Sequence, residues 1–154
     1  MALGTKGKFI PKNPSKYLGD VSNIIFRSRW ELTFMQFCDS NVNILQWGSE
    51  EIKIPYVKPT TQKIHHYYPD FFIIYRNAKG ETVKELIEIK PKKEAVLDKK
   101  SSVYDKVAIV VNHAKWEAAR QFCSRHGLSF RVLTEDSLFR TGNAQKTQSK
   151  RGKK

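Results

Sequence analysis

Acidic residues are scarce in this chain of 154: 15 Asp and Glu stand against 28 Lys and Arg, leaving a net charge of +13. That imbalance argues against a basic partner and for a polyanionic one, nucleic acid first. Cysteine is scarcer still, with only Cys38 and Cys123. Neither belongs to a CxxC pair or a Cys/His ligand set, so zinc and a disulfide framework are not expected and both read as buried, reduced thiols. No apolar run approaches membrane-spanning length, and the N-terminus lacks the apolar core of a secretory leader. A reducing cytoplasm is the expected setting. There is no glycine-rich phosphate loop and no serine or cysteine placed as a nucleophile beside a base, which leaves nucleotide-loop and covalent hydrolase chemistry without support.

What is present is unevenly spread. Residues 1–17 carry Lys6, Lys8, Lys12 and Lys16 and no acid, and residues 140–154 carry Arg140, Lys146, Lys150, Arg151, Lys153 and Lys154 and no acid. Without those ends the chain is only mildly basic. The length suits one domain with a real core. The division expected is a basic extended arm over 1–20, a globular domain over 21–139 and a basic disordered tail over 140–154. Such ends are solvated by default. At the least they strengthen non-specific, salt-dependent attraction to phosphates.

Trp30, Phe34, Phe37 and Cys38 recur at i, i+4, i+7, i+8, which predicts a helix from about Arg27 to Asp39. Ser28 with Glu31 three residues on has the form of a capping box, and Asn41 ends the helix. Ile44–Trp47 reads as a short apolar link. Glu51–Val57 alternates polar and apolar and reads as a strand, with a turn over Pro59–Gln62. Tyr67–Tyr75 reads as a second strand, Asn77–Gly80 as a hairpin loop and Thr82–Lys90 as a third strand. Lys92–Ser102 reads as a polar excursion. Val103–Val111 suits either a buried strand or a helix face. A helix running through about Arg125, with room for a break near Asn112, is the reading adopted, with Gly127 as its stop. Ser129–Leu133 is a last strand, parallel to a neighbour because a crossover helix precedes it.

Strand alternation puts Glu88 and Lys90 on one face and Ile87 and Ile89 on the other. Alone, that pair reads as a salt bridge at a strand end. Asp70 changes the reading. It follows Pro69 and opens the apolar run Phe71–Ile74. An antiparallel hairpin through Asn77–Gly80 would set it opposite Glu88 and Lys90. Two carboxylates and a lysine at one point suit Mg²⁺ or Mn²⁺, since hard cations take oxygen ligands and keep water for a phosphate and a nucleophile. The lysine cannot ligate while protonated, but it can orient the attacking water or offset charge at phosphorus. Glu31 divides evenly between a cap and an outer acid of the site. His65 and His66 could touch phosphate or relay a proton, and Arg27, Arg29, Lys92 and Lys93 could clamp phosphates. Plain surface residues are the competing reading for all six. Trp30, Trp47 and Trp116 read as core.

The segments RSRWE (Arg27–Glu31), LQWGSEE (Leu45–Glu51), YPDF (Tyr68–Phe71), LIEIKPKK (Leu86–Lys93) and AKWEAA (Ala114–Ala119) together carry a resemblance. In their order they resemble the PD-(D/E)XK nuclease superfamily. Within it they are similar to the head completion nucleases of T-even-type tailed phages and, more distantly, to TnsA-type transposase endonucleases. The resemblance spans roughly residues 20–140 without departure at the four core positions. It implies an α/β, restriction-endonuclease-like core: a mixed central sheet, made of a three-strand antiparallel meander plus a strand after a crossover helix, flanked by helices. It implies a Mg²⁺-dependent DNA endonuclease in which Asp70 and Glu88 hold the metal, the main-chain carbonyl of Ile89 joins them, Lys90 serves the attacking water and Glu31 assists. It also implies a setting in the host-cell cytoplasm during phage assembly or in the virion, with DNA and phage head, portal or neck proteins as partners. Lys115 falls in a matching segment, and no role follows for it. A DNA-binding plug protein with an inactive site and a transposase subunit that needs an integrase partner are the rival readings.

Overall fold

The computed structural model describes residues 6–50 and 52–142, with the side chains of 139–142 left aside. In chain order the elements are β1 (Gly7–Lys8), β2 (Ile25–Phe26), α1 (Arg29–Ser40), β3 (Ile44–Ser49), β4 (Ile54–Lys58), β5 (Lys63–Tyr67), β6 (Phe71–Arg76), β7 (Thr82–Ile89), α2 (Val103–His126), β8 (Ser129–Leu133) and α3 (Glu135–Gly142). Short 3₁₀ turns lie at Pro14–Lys16, Val21–Asn23 and Lys92–Glu94. The central sheet has the order β3-β6-β7-β8, antiparallel except for the parallel pair β7–β8. It is therefore a mixed sheet of an antiparallel meander plus one strand reached through the α2 crossover, as expected. No helix among the described residues is long and apolar enough to cross a membrane.

Local chemistry explains the helix ends. The Ser28 hydroxyl accepts from the Glu31 N–H at 3.1 Å and so satisfies one of the donors that a helix start leaves open. At α2, Ser102 does the same for Asp105 at 3.0 Å. Gly127 closes α2 at φ 69°, a left-handed conformation that glycine adopts without steric cost.

Central strand β7 is covered on both faces, which is why Glu85–Ile89 is buried without interruption. Ile87 and Ile89 face a core built from α1 and its surroundings, with Phe34, Met35, Cys38, Trp47 and Phe71. Leu86 faces a second core, where Trp116, Ala119 and Cys123 of α2 meet Ile54, Tyr56 and Tyr67. The N-terminal segment is extended but docked. Phe9 and Tyr17 pack edge-on against Trp47, at 5.8 and 4.7 Å between ring centres, and Asp39 accepts the Lys12 and Asn13 N–H groups.

Several expectations need correcting. Ile44–Trp47 is not a link but the body of β3, the outer strand of the meander. The alternating segment expected over Glu51–Val57 begins at Ile54 and lies outside the main sheet. It pairs with β5 in a separate two-stranded hairpin, while Glu51 itself is outside the described residues. The single strand expected over Tyr67–Tyr75 is two, β5 and β6, split at Tyr68–Asp70 because Pro69 cannot donate to a ladder. Helix α2 runs through Asn112 unbroken. The Asn112 side chain donates outward, to the Glu94 carbonyl at 3.0 Å, and leaves the helix backbone alone. Helix α3 was not expected, and the tail beyond 142 is outside the described residues.

Candidate active site

The β6–β7 register builds the site. Phe71 pairs with Ile87 and Phe72 with Leu86, so one step further Asp70 stands directly opposite Glu88. Cross-strand partners share a face. Asp70 is held there by its own carboxylate, which accepts the Ile89 N–H at 2.8 Å. Lys90 leaves the end of β7 two residues beyond Glu88. Its main-chain N–H is held by the Leu133 carbonyl at 3.0 Å, and its ammonium lies 3.8 Å from the Glu88 carboxylate. Asp70, Glu88 and Lys90 thus converge at the rim of the sheet, as the hairpin argument expects.

Electrostatics mark this rim as short of positive charge. Burial, then the neighbouring Glu88 carboxylate, pushes the Asp70 carboxyl well above its ordinary range. Burial also raises Glu88, against the pull of Lys90 and a hydrogen bond from Tyr67. Two buried acids that resist ionisation side by side are relieved by a divalent cation. Among the described residues no three His, Cys, Asp or Glu side chains gather into a metal set. The protein offers two carboxylates at this point, and Mg²⁺ is commonly held by one or two with water completing its shell. The donor set fits the ion.

Glu31 makes a cap-like contact and also reaches the cleft. One carboxylate oxygen accepts the Arg27 N–H at 3.0 Å, completing a cap one residue upstream of the usual box. Its side chain also lines a cleft of about 240 Å³ with Arg27, Trp30, Asp70, Lys90 and Glu94, close enough to raise Asp70. Arg27 lines the same cleft but is engaged in an ion pair with Glu50. The structure does not gather the other candidates there. Arg29 is exposed on α1. His65 bonds Thr61 at 3.2 Å within the β4–β5 hairpin, and His66 is exposed beside it. Lys92 is tied to α3, its N–H to Glu135 at 2.7 Å and its ammonium to Asp136 at 3.3 Å. Lys93 is exposed. Both cysteines are buried and free. Burial lifts the Cys123 thiol to about 11, away from nucleophilic use.

Near these acids lie one residue that sequence reasoning missed, Tyr67, and one that it singled out without a role, Lys115. Tyr67 is buried and its hydroxyl donates to Glu88 at 2.8 Å. Lys115 projects from α2 with its ammonium 5.8 Å from the Tyr67 ring centre and 6.0 Å from that of Tyr56. Burial, then Lys90, lowers its proton affinity. The available signal was positional. Ile109, Asn112, Trp116, Ala119 and Cys123 form the buried stripe of α2, and Lys115 borders that stripe, three residues after Asn112 and four before Ala119.

Comparison with known proteins identifies the family. The chain is 38% identical over 146 residues to the head completion nuclease of Enterobacteria phage T4, covering 88% of this chain and 95% of the phage protein. No solved structure matches it. The family model described as the TnsA-like endonuclease N-terminal domain matches residues 41–135, from the start of β3 into α3, and includes Asp70, Glu88 and Lys90. The chain belongs to this TnsA-like nuclease family and has its restriction-endonuclease-like fold.

Proposed function

We propose that this protein is a Mg²⁺-dependent DNA endonuclease that hydrolyses phosphodiester bonds, with Mn²⁺ able to substitute. The observation that carries this reading is the register placing Asp70 opposite Glu88 with Lys90 beside them. Asp70 and Glu88 would hold the ion, with the Ile89 carbonyl as a further ligand. Bound there, it would supply Lewis-acid stabilisation of charge on the phosphate and lower the pKa of water. The chain's own groups do the rest. Lys90 presents a cation to the attacking water and to the charge that grows on phosphorus. Tyr67 fixes the rotamer of Glu88 by its hydrogen bond. Glu31 orders the start of α1 and adds negative charge at the cleft. In the reaction an oxygen of water bonds to phosphorus, the bond to one sugar oxygen breaks, and that oxygen leaves with a proton. Sequence preference is low on this reading, because the chain carries no separate recognition module.

The name of the phage T4 relative, a head completion nuclease, supports a role in phage head completion; on this reading the protein acts in the host cell during assembly, with DNA and head, portal or neck proteins as partners. A plasmid-nicking assay with Mg²⁺ tests the chemistry. Wild type should nick, and Asp70→Ala and Glu88→Ala should not. If all three behave alike, the endonuclease reading is lost and a DNA-binding plug takes its place. Wild type that cuts only with an added integrase partner would indicate a transposase subunit instead.

A further inference from the structure

Lys115 is a half-buried cation without a counter-ion. Among the described residues no carboxylate lies within the 4.0 Å of an ion pair with it. Two tyrosine rings, from Tyr56 and Tyr67, flank its ammonium instead. It lies between the acids and the hairpin, influenced by Glu88, Lys90 and Asp70 on one side and by Lys58 on the other. A desolvated ammonium in such a place is costly unless an anion completes it.

The hairpin extends the same pattern outward. In its register Ile54 faces Tyr67, Tyr56 faces His65 and Lys58 faces Lys63. All six share one side of the ribbon, the side whose buried members Ile54, Tyr56 and Tyr67 pack on α2. Lys58 and Lys63 therefore stand directly opposed near the ribbon's tip, and neither has an ion-pair partner among the described residues. Opposed like charges destabilise a hairpin. A polyanion laid across the hairpin tip would reverse the sign of the interaction.

We propose that the DNA strand to be cut passes from the rim of the sheet over the exposed part of Lys115 to the open tip of the β4–β5 hairpin, with one phosphate seated on Lys115 and further ones on Lys58 and Lys63. The proposal rests on reading Asp70 and Glu88 as the cleavage centre, and it assigns the direction in which the strand leaves that centre. Lys115 is a substrate-binding residue on this account, distinct from Lys90.

The test is the salt dependence of binding, measured by fluorescence anisotropy on a labelled duplex in EDTA, where metal-dependent cleavage cannot interfere. Each lost phosphate contact should flatten the slope of log K against log salt by about 0.9. Lys115→Met keeps the aliphatic stem between the rings and should flatten the slope by that single step, with roughly ten-fold weaker binding near 0.1 M salt. Lys115→Arg should keep the wild-type slope. The double variant Lys58→Ala/Lys63→Ala, at the hairpin tip, should flatten it by up to two steps. Lys79→Ala, in the loop at the far end of β6–β7, should leave it unchanged. A wild-type slope and affinity in both Lys115→Met and the double variant overturns the proposal. Separate nicking assays with Mg²⁺ keep the two readings apart. Normal nicking with unchanged slopes sinks this track alone, whereas wild type that binds with the stated slopes but never nicks sinks the cleavage reading.

Discussion

Strand β7 buries two glutamates, Glu85 and Glu88, and the strand treats them differently. Glu85 is 7% exposed and meets partners within the chain: an Arg131 guanidinium nitrogen from β8 lies at 3.0 Å and the Ser129 hydroxyl donates at 3.0 Å. Glu88 is 5% exposed, has Tyr67 at 2.8 Å and Lys90 only at 3.8 Å, and shares the rim with Asp70. The first acid is neutralised by the fold. The second is left with an excess of negative charge that the fold does not cancel. A buried charge that finds its partner within the chain is architecture, whereas one that needs something from outside marks a working site.

The sharpest break between the two is activity. Glu88→Ala should lower Mg²⁺-dependent nicking by more than about 10³-fold and Glu85→Gln by less than about three-fold, since only the first removes a proposed metal ligand. Equal losses would erase the distinction. Stability should show the reverse dependence on partners. Arg131→Ala removes the half-exposed cation that meets buried Glu85 and should cost about 1–2 kcal/mol in a denaturant melt, more than Lys90→Ala, whose partner Glu88 keeps the Tyr67 hydrogen bond.

Tyr67→Phe should reduce nicking about ten-fold at limiting Mg²⁺ and less at saturating Mg²⁺. The lost hydroxyl raises Glu88 further and weakens its hold on a cation. A deficit that saturating Mg²⁺ does not narrow would argue for another role. The smallest effect is a gain. In metal-free protein Asp70→Asn should raise stability, because a neutral amide keeps the acceptor for the Ile89 N–H without the buried charge. The sign follows from the raised Asp70 carboxyl. The stability that its proton confers is complete below the ordinary carboxylate range near pH 4 and is lost as pH rises through the folded-state value. The gap between variant and wild type should therefore open with rising pH, and Mg²⁺ should close it. Thermal melts across pH, with and without Mg²⁺, measure this directly.

What the sequence disclosed was whatever local chemistry determines. Ser28 and Glu31 announce the start of α1, the apolar runs on either side of Asn77–Gly80 announce the β6–β7 hairpin, and that hairpin brings Asp70 to Glu88. What stayed hidden depended on distant pairing. Strand β3 lacks clean alternation, with Trp47 and Gly48 both buried and its register shifted between Ile44 and Gln46, so its period gave no signal. Glu51–Ile54 alternates polar and apolar and makes Glu51–Val57 read as a strand of the sheet, yet alternation tells which face is buried and not which strand is the partner. Tyr67 gives no signal in the sequence, and Lys115 no role, for the same reason. Their positions at the site come from the packing of the β4–β5 hairpin on α2, which no local pattern encodes.

The account stands on Asp70 and Glu88 sharing one hard cation. A crystal grown with Mn²⁺ and measured for anomalous scattering tests that most directly. The prediction is a peak bonded to one carboxylate oxygen of each residue, at about 2.0–2.3 Å, and absent from Asp70→Asn. A well-occupied peak elsewhere, with these two carboxylates untouched, would contradict it.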